Sequence, residues 1–96
     1  MRTMYKAILR KFVDILGQPH VIEKRAYGSE LDDVKYMADR WASQLEKDGY
    51  KRSELYKHNY CGDWNETTYF FRDEDSMAIE IDNYTYVRDE KLFCEG

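Results

Sequence analysis

Between Leu31 and Leu45 apolar residues recur at spacings of three and four: Leu31, Val34, Ala38, Trp41 and Leu45, with Met37 and Ala42 on the flanks. That period draws one stripe down an α-helix and predicts a long amphipathic helix over residues 29–48. Ser29 is the expected N-cap, and Asp32 three residues on completes a weak capping box. Glu30, Asp32 and Asp33 put negative charge at the positive end of the helix dipole, and Gly49 is a natural left-handed stop. Lys35 and Asp39, one turn apart, are expected on the wet face.

The other patterns are shorter. Met4, Ile8, Phe12 and Ile15 repeat at helical spacing, with Arg2, Lys6, Arg10 and Asp14 on the other side and Gly17 and Pro19 behind them, which predicts a helix over 4–16. The same stretch also alternates through Tyr5, Ala7, Leu9 and Val13, so its alternative is a strand in an N-terminal hairpin. His20 to Tyr27 is expected as a strand feeding the central helix, and Tyr50 to Tyr60 as a weakly patterned strand. Cys61, Gly62 and Asp63 suggest a turn, Glu66 to Arg72 a strand rich in Thr, Tyr and Phe, and Asp73 to Ser76 a second turn. From Met77 to Val87 the alternation is the cleanest in the chain. Met77, Ile79, Ile81, Thr85 and Val87 point one way, and Glu80, Asp82, Tyr84 and Tyr86 the other. A tail over 91–96 offers Leu92 and Phe93 for docking. Short connections imply a meander, so the expected fold class is α+β: a single small domain, 1–96, with the long helix packed on a mainly antiparallel sheet and Trp41 in the interface.

Composition narrows the class further. Hydrophobic residues make up 43% of the 96, too many for a disordered chain, and no apolar run is long enough to span a membrane. The apolar run from Ala7 is broken by Arg10 and Lys11 and has no small-residue cleavage site, so no signal peptide is read and the cytoplasm is the expected compartment. Two cysteines, Cys61 and Cys94, make no disulfide framework and are expected as thiols there. The net charge of −4 is unevenly spread. Between Asp63 and Glu90 nine carboxylates face only Arg72 and Arg88, a balance that repels a phosphate backbone.

Candidate chemistry is sparse. His58 and Cys61 stand at His-x-x-Cys spacing beside Asp63, but a structural zinc site needs a second pair, and His20 and Cys94 do not form one. A Cys61 thiolate with His58 as base would need an irregular turn, because strand residues three apart point to opposite faces. Asp73, Glu74 and Asp75 lack the ligand rhythm and central glycine of a calcium loop, and Glu80 and Asp82 share a strand face without the cleft that paired catalytic carboxylates require. No phosphate loop, serine elbow or dinucleotide fingerprint is present. The expectation is therefore no enzyme, no metal and no cofactor.

Nine tyrosines remain as the compositional oddity, and aromatic residues framed by charge are favoured at protein interfaces. Asp73, Glu74, Asp75, Glu80, Asp82, Tyr84 and Tyr86 are accordingly the expected partner-binding residues. Carboxylates spaced along a strand can stand in for phosphates before Lys and Arg, so the expected function is a non-enzymatic protein-binding module. In its narrowest form this is an inhibitor, of the kind carried by phages and mobile elements, that mimics nucleic acid toward a basic partner such as a host nuclease, including CRISPR machinery. One alternative is a small nucleic-acid-binding domain using Arg2, Lys6, Arg10, Lys11, Lys24 and Arg25, although Asp14 and Glu23 dilute that patch and direct nucleic-acid binding is disfavoured. Another is a structural or regulatory domain whose acidic surface is only solvated.

Overall fold

The structure, a computed structural model, describes residues 2–12, 21–60 and 63–86. In chain order these form β1 (Arg2–Phe12), β2 (Val21–Gly28), α1 (Leu31–Lys47), β3 (Lys51–Tyr60), β4 (Asp63–Arg72) and β5 (Asp75–Tyr86). The strands make one antiparallel sheet in the order β2-β1-β5-β4-β3, which with one helix is an α+β fold. β2 and β3 are the two edges, and α1 joins them by crossing one face of the sheet over β1, β2 and β5. The meander β3-β4-β5 then returns the chain to the centre, beside β1.

The first element is a strand, and the helix expected over 4–16 does not form within its described part, 4–12. The physical reason lies in the spacing. Met4, Ile8 and Phe12 are four apart, as are Arg2, Lys6 and Arg10, and a step of four keeps residues on one face at both the helical and the strand period. What separates the two is the residues between. A helix with that stripe would leave Ala7 and Leu9 off its buried face, whereas the structure buries Ala7 and Leu9 under α1 and Ile8 on the opposite face, between neighbouring strands on both edges. β1 pairs with β2 through Tyr5 opposite Gly28 to Lys11 opposite Val21, and with β5 through Arg2 opposite Tyr86 to Phe12 opposite Ser76.

α1 buries Val34, Ala38, Trp41, Ala42 and Leu45 against the sheet. They meet Ala7 and Leu9 of β1, Phe70 of β4, and Met77 and Ile79 of β5, with Tyr5, Ala26 and Ile81 packed around them. The expected N-cap is corrected: Ser29 stands one residue too early, and Glu30 occupies that position in extended conformation without a side-chain capping bond. Gly28 accounts for the shift. A Cβ there would lie 3.3 Å from Val34 Cγ2, so β2 runs close beneath the helix and the chain needs both Ser29 and Glu30 to bend into the first turn. At the other end Gly49 has φ +98°, its N–H donates to the Glu46 carbonyl at 3.1 Å, and the Tyr50 N–H reaches the Leu45 carbonyl at 3.0 Å. This is a left-handed helix stop whose last residue, Tyr50, folds back into the core beside Leu45. Arg72 of β4 closes the same end, donating to the Asp48 carbonyl at 2.7 Å with its guanidinium 4.4 Å from the Tyr50 ring centroid.

The remaining boundaries move by a few residues. β4 begins at Asp63 rather than Glu66, and β5 at Asp75 rather than Met77, so the turn expected over 73–76 tightens to Asp73 and Glu74. Asp73 takes a positive φ of 51°, a conformation that aspartate tolerates better than most residues. Cys61 and Gly62 of the other expected turn, His20, Cys94, and the tail with Leu92 and Phe93 lie outside the described residues. Both edge strands carry a register irregularity, at Leu9/Arg10 opposite β2 and at Arg52/Leu55 of β3, and both carry several charges, devices that discourage edge-to-edge pairing.

Candidate functional site

Strand alternation and register sort the side chains onto two faces. The face under α1 receives Tyr5, Ala7 and Leu9 of β1, Phe70 of β4 and Met77, Ile79 and Ile81 of β5. No described element covers the opposite face. There β1 presents Met4, Lys6, Ile8, Arg10 and Phe12, β5 presents Ser76, Ala78, Glu80 and Asp82, and β4 presents Asn65, Thr67, Tyr69 and Phe71. Tyr56 and His58 of β3, opposite Thr67 and Asn65, extend it to the edge.

The middle of this open face is charged but balanced. Arg10 Nε donates to Glu80 Oε1 at 3.1 Å, and Lys6 Nζ lies 3.9 Å from Asp82 Oδ1, directly across the β1–β5 pair. Glu80 and Asp82, two of the residues expected to meet a basic partner, thus already face cations of the neighbouring strand. The sequence hides this because Lys6 and Asp82 are 76 positions apart and only the central placement of β1 joins them. Asp82 is also half-buried, and its Oδ1 has no hydrogen bond because Lys6 stays beyond bonding distance. Desolvation raises its carboxyl above the ordinary value and the charge of Glu80 adds to this, against the opposing pull of Lys6 and Arg10.

At the hairpin end the same face turns aromatic. Ser76 and Ala78 are small, and across them Phe12 of β1 reaches Tyr69 of β4, ring centroids 6.4 Å apart. Tyr69 continues to Phe71 at 6.4 Å with planes 25° apart, and to Tyr56 at 5.7 Å edge-on. Tyr69 is half-buried, while Phe71 and Tyr56 keep 49% and 51% of their surface exposed, so these rings form a continuous strip open to water. Immediately past Phe71 and Arg72 comes the turn, where Asp73 and Glu74 are exposed and form no ion pair with any described residue.

The expected site residues therefore separate. Asp73 and Glu74 project at the hairpin tip, Asp75 pairs with Arg72 at 3.3 Å, and Glu80 and Asp82 lie in the balanced middle. Tyr84 and Tyr86 sit further along β5, opposite Met4 and Arg2 in register, away from the turn. Phe12, Tyr56, Tyr69 and Phe71 were not singled out from the sequence. Phe12 was absorbed in the supposed helical stripe, and Tyr56 lies in the most weakly patterned strand; only the Tyr69-Phe70-Phe71 run carried a usable signal, with its first and third rings on one face. The basic positions separate too: Lys6 and Arg10 are on the open face, whereas Lys24 lines a hollow beside Met37, Arg40 and Trp41 on the helix side. Lys35 and Asp39 keep access to water, Asp39 exposed and Lys35 half-exposed, and both line a groove of about 340 Å³ beside α1, where Lys35 lies 3.9 Å from Glu66. Cys61 is outside the described residues, and among those described no group of three His, Cys, Asp or Glu could hold a metal ion. No described helix is long and apolar enough to cross a membrane.

A five-stranded antiparallel sheet with a single covering helix and an aromatic open face defines the class no more narrowly than a small α+β domain. The chain matches no protein-family model, no curated protein and no solved structure.

Proposed function

We propose that this chain is a non-enzymatic protein-binding module that engages a basic partner protein through the hairpin end of its open sheet face. The observation that carries the reading is the strip Phe12, Tyr69, Phe71 and Tyr56, uncovered by any described element and adjoining the unpaired carboxylates of Asp73 and Glu74. Exposed aromatic rings supply desolvated contact area, and the neighbouring negative charge selects and steers a cationic partner. In its narrower form the module is an inhibitor in the cytoplasm, of phage or mobile-element type, seated on a basic nucleic-acid-handling site of an enzyme such as a nuclease. The net charge of −4 and the acidic tip support that form. Relative to the expectation from sequence, the contact moves from Glu80, Asp82, Tyr84 and Tyr86 toward the tip, because Arg10 and Lys6 already offset the two carboxylates.

The alternative of a nucleic-acid reader has one observation in its favour, since Lys6 and Arg10 share the open face with aromatic rings. Their pairing with Asp82 and Glu80 weakens it. The test is affinity capture from a bacterial lysate at low and moderate salt, comparing three forms of matched folding by circular dichroism. These are the parent, a Tyr56→Ser/Phe71→Ser variant, and a Glu80→Lys/Asp82→Lys variant. The proposal expects specific partners lost with the aromatic variant and retained, at least in part, with the charge-reversed one. Identical recovery by all three, or capture abolished by nuclease treatment, contradicts it.

A further inference from the structure

We infer that the strip seats an arginine side chain of the partner, its guanidinium stacked on Phe71 and its N–H groups directed to the carboxylates of Asp73 and Glu74; this rests on the protein-binding reading above. The argument comes from how this fold holds its own arginines. Arg72 lies over the Tyr50 ring, 4.4 Å to the centroid, and its Nη2 meets Asp75 at 3.3 Å. Arg52 lies over the Phe70 ring at 5.6 Å and meets Glu46 through two bonds, Nε at 3.2 Å and Nη2 at 3.0 Å. In each case one guanidinium meets an aromatic ring and a carboxylate together, as suits a flat cation able to stack and donate at once. Phe71, half exposed on the open face, is followed two and three positions on by the exposed carboxylates of Asp73 and Glu74 in the turn, and no guanidinium of a described residue lies over its ring.

The chemistry favours arginine over lysine and over an apolar side chain. An ammonium ion keeps its hydration and cannot lie flat on a ring, while an aliphatic side chain leaves both carboxylates unmet. Tyr69, 25° from the plane of Phe71, continues the platform for the aliphatic stem of the arginine or for a neighbouring residue. One local charge opposes the seat: Lys51 stands opposite Phe71 in the β3–β4 register. Removing it should therefore strengthen binding, an effect that a purely apolar contact would not show.

The test is an NMR amide-shift titration of the full chain with a blocked peptide of alternating arginine and glycine, and with the same peptide carrying lysine or citrulline. The expected result is shifts centred on residues 69–76, arginine tighter than lysine by about threefold or more, and citrulline without effect. Phe71→Ala and Asp73→Asn/Glu74→Gln should each weaken arginine binding by about fivefold, and Lys51→Gln should tighten it, with the salt dependence reduced in the carboxamide variant. Equal affinity for arginine and lysine, indifference to Phe71→Ala, or shifts confined to α1 overturn the inference. A partner captured from lysate through Tyr56 and Phe71, but insensitive to Asp73→Asn/Glu74→Gln and to competition by the arginine peptide, leaves the protein-binding reading standing and removes the arginine seat. Capture that ignores the strip altogether removes the reading beneath it.

Discussion

Asp82 shows how a single position changes meaning between sequence and fold. In the alternation of β5 it is one of two adjacent outward carboxylates, a natural contact for a basic partner. In the sheet it is half-buried under its neighbours, with Lys6 at 3.9 Å and an oxygen that accepts no hydrogen bond. Burial is the leading cause that raises its carboxyl above the ordinary value. A raised value means that the folded state holds this proton to higher pH than the unfolded chain does. Its contribution to stability is full below the unfolded value and is lost as pH climbs through the folded one. At neutral pH the ionised group therefore weighs against folding, and Asp82→Asn removes that burden while Lys6, one-third exposed, can turn to water. The expected outcome is a melting temperature at pH 7 raised by roughly a few degrees, with the gap to the parent closing as pH falls into the carboxyl range. Thermal scans from pH 7 to pH 4 decide it; a lower melting temperature at pH 7 would show that the Lys6 pair outweighs desolvation.

Among the elements, legibility followed how far each one's period was unambiguous. α1 has apolar residues at spacings that only a helix brings together, and Val34, Ala38, Trp41 and Leu45 are buried as that stripe requires. Its exit was legible as well, because Gly49 alone can take φ +98° without strain. Its entry was not, since the position of the first turn depends on how closely Gly28 passes beneath Val34, a contact between elements. β1 could not be settled from its own residues: a repeat of four satisfies both periods, and the decision came from partners on both edges, one of them more than 70 residues away. The aromatic strip was not legible in the sequence for the same reason. Phe12 and Tyr69 meet across β5 only once β1 is central, and no local pattern announces a contact between residues 57 positions apart. The helix–sheet seam can be tested through Trp41, 7% exposed and in contact with the core from both layers. Trp41→Ala should cost about 3–5 kcal/mol, a large share of the stability of a domain this size. Denaturant titration measures it, and a midpoint close to that of the parent would mean that α1 does not anchor the sheet.

Across the whole molecule the two sheet faces have divided tasks. One carries α1 and the core, and the other keeps its charges matched in the middle and leaves its aromatic rings and two carboxylates at one end. The acidic excess visible in the second half of the sequence is thus partly offset by the first half, through Arg10 with Glu80, Lys6 with Asp82 and Lys35 with Glu66. Of the described carboxylates in β4, β5 and the turn between them, Asp73 and Glu74 at the tip form no ion pair. The proposed reading places a basic partner at this tip, and that is a definite statement about place. The most direct measurement is amide hydrogen exchange of the chain alone and in complex with a captured partner. The account predicts slowed exchange at Phe12, in β3 near Tyr56 and through residues 69–76, with the outer face of α1 around Tyr36 and Arg40 unchanged. Slowing confined to that outer helix face, with the hairpin end exchanging as in the free chain, would contradict it.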